Sequence, residues 1–142
     1  MTNGVAQYKE HLRALFKRDP DTAQRIADSM GDGTWQGSGR MNLAVFGLAA
    51  EKRFKDDKSH EAVLKFVSDA STAWASAPNP PNALHLELLI RAVLGEPALF
   101  DEVPADVRNT IFPTAAYLMV EDLDLSDTEI DQLLDAAERK VG

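Results

Sequence analysis

Residue types that carry chemistry are present in this chain, but their spacing builds no catalytic centre. The three histidines, His11, His60 and His85, lie far apart. None belongs to a His-Glu-x-x-His or comparable pair that would set two imidazoles on one helix face for a metal. His85 and Glu87 stand two apart, on different faces of a helix. His60 is followed by Glu61, and His11 has Lys and Arg for neighbours. The chain has no cysteine, which excludes thiolate nucleophiles, disulfides and cysteine metal sites. Ser38 lies between two glycines but lacks the Gly-x-Ser-x-Gly elbow and the strand before it. No cofactor and no metal is expected. Groups distant in the chain can still assemble, so Asn42, His85, Glu87 and Arg91, polar side chains in otherwise apolar stretches, are the candidates for a pocket. Glu87 and Arg91 also have the spacing of an ordinary helix surface pair, worth ~0.2–0.5 kcal/mol.

Residues 31–39 hold four of the eight glycines, and such a segment reads as a loop. Its backbone N–H groups, at the start of the next helix and beside Arg40, could hold an anion. The phosphate-binding loop pattern fails, because five residues separate Gly33 from Gly39, and Arg40 and Met41 stand where Lys and Ser/Thr belong. A helix-turn-helix reading of residues 22–34 also fails: the segment that would enter the groove of DNA carries Gly33, Gly37 and Gly39 and only Arg40 as a cation. The loop is therefore read as mobile surface, with Trp35, Ser38 and Arg40 as its anchor or ligand candidates. Tryptophan among glycines either folds onto the core or waits for a partner.

Acid concentrates late in the chain. Residues 1–65 carry eleven Lys/Arg against nine Asp/Glu, residues 66–142 four against fourteen, within a net charge of −8. Asp122, Asp124 and Asp127 do not form a calcium loop, since the sixth and twelfth positions are Asp127 and Leu133 where glycine and glutamate are required. The simpler reading is a solvated acidic face on the first turns of a helix. Glu121, Asp122, Asp124, Asp127, Asp131 and Asp135 are its candidate partner-binding residues.

The elements that must position these groups are helices. Val5, Tyr8, Leu12, Leu15 and Phe16 recur at helical steps. Asp19-Pro20 reads as a cap and first-turn proline of a helix ending at Gly31. Ser38 caps a helix over about 40–55, apolar nearly all round and so expected to be central and buried. Ser59 caps the next, with the stripe Val63, Phe66, Val67, Ala70 and Trp74. Pro78, Pro80 and Pro81 separate it from a helix over 82–94, closed by Gly95 and Pro97. Pro104 begins a helix reaching Phe112, and Pro113 either kinks it or starts another through Val120. Ser126 and Glu129 fit a capping box ahead of the stripe Ile130, Leu133, Leu134, Ala137 and Val141. The expectation is an all-α, compact single-domain bundle of about seven or eight helices over residues 1–142.

The length suits one core. The polar N-terminus lacks the apolar segment of a signal peptide, and no apolar run approaches the ~20 residues of a membrane span, so a complete, soluble, cytoplasmic chain is expected. The acidic half would repel nucleic-acid backbones. Together these features suggest a non-catalytic protein-interaction module (an adaptor, regulator, inhibitor or immunity-type protein) with another protein, potentially basic, as partner. The alternative is a small-ligand-binding protein or enzyme with its site among the helices or at residues 31–39. A homo-oligomer through an apolar helix face is also open.

Overall fold

The computed structural model describes residues 3–30, 38–76 and 82–141. The periodic segments all become helices: α1 (Asn3–Phe16), α2 (Pro20–Met30), α3 (Ser38–Arg53), α4 (His60–Ala73), α5 (Ala83–Val93), a 3-10 segment (Pro97–Glu102), α6 (Ala105–Leu123) and α7 (Asp127–Val141). There is no strand among the described residues.

Local chemistry sets the boundaries. The Thr22 N–H donates to Asp19 Oδ1 at 3.2 Å, the Ala62 N–H to Ser59 Oγ at 3.2 Å, and the His85 N–H to Asn82 Oδ1 at 3.1 Å. Each satisfies an amide that the first helical turn leaves free. The capping box at α7 closes reciprocally: the Glu129 N–H donates to Ser126 Oγ and the Ser126 N–H to Glu129 Oε1. Gly95 follows α5 with φ +143, a region open mainly to glycine. Two other helix ends place a non-glycine residue in the left-handed region. After α1, Arg18 has φ 59, with the Asp19 N–H reaching Ala14 O at 2.8 Å and the Arg18 N–H reaching Leu15 O at 3.1 Å. After α6, Asp124 has φ 51, and the same paired closure runs from Leu125 to Val120 and from Asp124 to Glu121. Both are Schellman endings, whose left-handed seat is usually glycine.

Of the two readings of Pro113, the new helix does not form: α6 runs unbroken from Ala105 to Leu123 with the proline inside it. After Gly95, Pro97–Glu102 forms the 3-10 helix, packed on α5.

The core forms around α3, which packs against α6, α7, α1 and α5. Phe46 meets Phe112 with ring centroids 5.0 Å apart, and Phe100 meets Phe112 edge-on at 6.5 Å. At the other end of α3, Phe54 and Phe66 form a T-shaped pair at 5.8 Å under the Arg53 guanidinium, which lies 5.3 and 5.5 Å from the two rings. Such pairs add to the burial of aromatic area. α3 is not buried all round, however. Met41, Asn42, Val45, Phe46, Ala49 and Ala50 face inward, whereas Leu43 is 40% exposed and Ala44, Gly47 and Leu48 are half-buried.

Candidate functional site

Trp35 and residues 31–37 lie outside the described residues, as does the side chain of Ser38, whose backbone opens α3. Arg40 is described, exposed and in the first turn of α3.

Four of the six acids assigned to a partner-binding face are engaged within the chain. Asp131 receives Arg13 Nε at 2.7 Å and Lys17 Nζ at 3.1 Å. Asp135 receives Lys9 Nζ, which also reaches Glu138 at 3.1 Å. Glu121 pairs with Arg18 at 2.7 Å and Asp122 with Arg53 at 3.3 Å. Lys9 and Arg13 on α1 and Lys17 just beyond its end, four residues apart, therefore form a basic stripe against the acidic stripe of α7. The pairing shows in the ionisation of these groups. Hydrogen bonds from Lys17 and Arg13 hold the Asp131 carboxyl below its usual 3.8, and Lys9 does the same to Asp135. The Lys9 ammonium is raised above 10.5 by Asp135 against the opposing effect of burial. Asp124 and Asp127 make no ion pair among the described residues. Asp124 is instead the left-handed residue that ends α6.

The polar candidates on apolar helices do not converge. Asn42 is buried and accepts a hydrogen bond from the Tyr8 hydroxyl at 2.6 Å. Arg91 bridges the half-buried Glu87 at 3.2 Å and the exposed Glu96 at 2.9 Å. His85 takes no part in that bridge, and its buried Nδ1 has no hydrogen-bond partner among the described residues. Among the described residues, no group of three His, Asp or Glu side chains is placed to hold a metal ion.

What the structure does assemble among the described residues is an open groove along the less buried flank of α3. Arg40, Leu43, Ala44, Gly47, Leu48 and Glu51 fall at steps of three and four and line a hollow of about 550 Å³, closed on its other sides by Val93, Phe100, Lys140 and Val141. A second hollow of about 320 Å³ shares Arg40, Leu43 and Phe100 and adds Arg108 and Phe112. The two hollows adjoin at these shared residues, and Arg40, Arg108 and Lys140 are the cations in their lining. Arg40, Arg108 and Lys140 make no ion pair among the described residues, in contrast to the cations of α1. The floor is shallow at Gly47, where an added Cβ would meet only Val93 Cγ1, at 4.0 Å. Internal packing therefore does not require glycine there, although glycine weakens a helix interior relative to alanine. Of this site, sequence reasoning identified Arg40 alone. The available signal was the second apolar stripe of α3, since a helix with two apolar faces needs two covers.

No helix among the described residues is long and apolar enough to cross a membrane. Comparison with known protein families, with characterised proteins and with solved structures finds no match for this chain.

Proposed function

We propose that this chain is a non-catalytic interaction module that receives an acidic amphipathic helix of a partner protein in the α3 groove. The observation that carries this reading is the second apolar stripe of α3, only partly covered among the described residues and flanked by Arg40, Arg108 and Lys140, which make no ion pair among those residues. An apolar trough between cations fits a helix with leucine-type anchors on one face and carboxylates beside them. From Arg40 to Glu51 the stripe spans about 16 Å, or roughly three helical turns, and Gly47 lets a partner side chain approach the α3 backbone. The acidic surface of α6 and α7 is the weaker docking candidate, because most of its carboxylates already hold a cation.

The test is fluorescence anisotropy with a labelled amphipathic peptide of about three turns, Leu on one face and Glu elsewhere, beside its Glu→Lys counterpart. The acidic peptide is expected to bind. Arg40→Glu with Lys140→Glu should weaken it roughly tenfold, and Gly47→Phe should block the trough. Preferential binding of the lysine peptide would return the role to Asp124 and Asp127. Indifference of the acidic peptide to both variants would refute the groove.

A further inference from the structure

Charge is unevenly placed along the α3 groove. Arg40 opens the stripe and Glu51 closes it, about 16 Å further along the helix. Arg108 lines the smaller hollow at the Arg40 end, together with Gly39 and Leu43, and Glu51 does not. Lys140 belongs to the same end. Tyr8 donates to Asn42, near the start of α3, and the adjacent Lys9 pairs with Glu138, near the end of α7. The last turn of α7 therefore lies level with the first turns of α3. Three cations stand at the head of the groove and one acid at its foot, and none of the four makes an ion pair among the described residues.

We infer that the occupant helix lies antiparallel to α3, with its C-terminal carboxylate seated between Arg40 and Arg108. This inference rests on the groove being the docking site proposed above, and adds the polarity of the partner and the part of it that is read.

Side-chain carboxylates alone set no direction, because they can be distributed along either orientation. The helix ends do set one. The last turn of a helix leaves four carbonyls unpaired and carries roughly half a unit of negative charge, and the first turn carries the matching positive charge on its free N–H groups. A free chain end adds a full carboxylate to the negative pole. Antiparallel docking puts that pole against Arg40, Arg108 and Lys140 and the positive pole against Glu51. Parallel docking sets each of these groups against its like charge. The smaller hollow, about 320 Å³, gives the chain end a seat: Phe100 and Phe112 in its lining receive the last apolar side chain, and the two guanidinium groups offer planar N–H donors that match a carboxylate. Arg108 is half-buried and Arg40 exposed, so salt screens the attraction of Arg108 less. Arg108 is thus the residue that sets the polarity most strongly.

The experiment compares the labelled acidic peptide with a free C-terminus and the same peptide as its C-terminal amide, which removes one charge from the negative pole. The free acid is expected to bind the parent chain roughly fivefold tighter. Arg108→Gln should bring the two peptides within about twofold of each other, chiefly by weakening the free acid. A nitroxide on the peptide N-terminus should broaden the amides flanking Glu51 more than those flanking Arg40 and Arg108, and a nitroxide in the last turn should do the reverse. Equal binding of acid and amide, an equal loss of both in Arg108→Gln, or broadening in the opposite order overturns the assigned polarity; if Gly47→Phe still blocks the peptides in that case, the groove itself stands. Failure of both peptides to bind the parent chain overturns the groove and the polarity together.

Discussion

The Tyr8–Asn42 hydrogen bond ties α1 to the buried side of α3, and its removal is the sharpest test of the core. In Tyr8→Phe the ring remains and only the hydroxyl is lost. Asn42, 5% exposed, then keeps Oδ1 without the donor that stood 2.6 Å away. Leaving a buried acceptor unmatched costs about 1–3 kcal/mol. For 142 residues, an unfolding entropy of about 2.1 cal/mol/K per residue gives roughly 0.3 kcal/mol/K, or about 3 °C of Tm per kcal/mol. The expected loss is therefore about 3–10 °C, read by circular dichroism and by the urea midpoint. Tyr8→Phe combined with Asn42→Leu replaces both polar partners by apolar groups of similar shape and should recover most of the loss, because no acceptor is then stranded. The alkaline limb gives a second readout. Burial holds the Tyr8 phenol above its usual 10.0. The unfolded phenol ionises first, so this contribution is full below pH 10 and is lost as pH rises towards the folded value. Lys9, raised above 10.5, acts in the same direction; Tyr8→Phe should leave only the lysine part. A Tyr8→Phe variant within about 0.5 kcal/mol of the parent, or single-variant losses that simply add in the double variant, would refute this account.

Three further outcomes follow from the same geometry. Gly47→Ala should stabilise the fold by about 0.8–1 kcal/mol in urea unfolding, since the new Cβ meets Val93 only at ordinary contact distance, while weakening the acidic peptide; a loss of stability would show that α3 is packed more tightly there. Asp124→Gly should gain about 0.5–1 kcal/mol by thermal melting, because it relieves a left-handed aspartate and removes an anion from the negative end of α6; a destabilised variant would mean that the carboxylate has a partner. Asp131, held below 3.8 by Lys17 and Arg13, contributes stability that is present above that pH and lost as pH falls through the folded value; Tm followed against pH should therefore fall less steeply below 3.8 in Asp131→Asn than in the parent.

The helices were legible because their signals are local. A Ser or Asp side chain caps an amide two or three residues away, and the stripe of α7 needs no knowledge of its neighbours to read as helix. Pro113 left two readings open, and the continuous helix forms because a proline in a helix interior is tolerated when packing on both sides holds the helix; Ala115, Ala116, Met119 and Val120 beyond it are all buried. The site was less legible, because the deciding fact is which flank of α3 lacks a cover. Arg40, Leu43, Gly47 and Glu51 have helical spacing in the sequence, but only tertiary packing shows that this flank of α3 is left part-open, with Val93, Phe100, Lys140 and Val141 at its edges. The acidic surface misled for the same reason. Counting charge along the chain adds Asp131, Asp135 and Glu138 to one half and Lys9, Arg13 and Lys17 to the other, while the fold sets them within 3.1 Å of each other.

That cancellation alters what the net charge means for recognition. Paired charges contribute little field beyond a Debye length of about 8 Å, so the surplus acid that a distant partner experiences comes from the carboxylates left over. Near α3 the balance differs: among the described lining residues, the cations Arg40, Arg108 and Lys140 stand against one acid, Glu51. The two scales of charge therefore oppose each other for an acidic partner. On the reading proposed above, the whole molecule, at −8, would slow its approach, and the groove would hold it once it arrives. Apolar contact with Leu43, Leu48 and Phe100 must then supply most of the affinity, while the rim cations act chiefly on register and on the rejection of basic competitors. A groove of this kind selects by pattern, because a chain that is merely acidic is repelled without gaining the apolar seat, and one that is merely apolar leaves three cations without counter-ions.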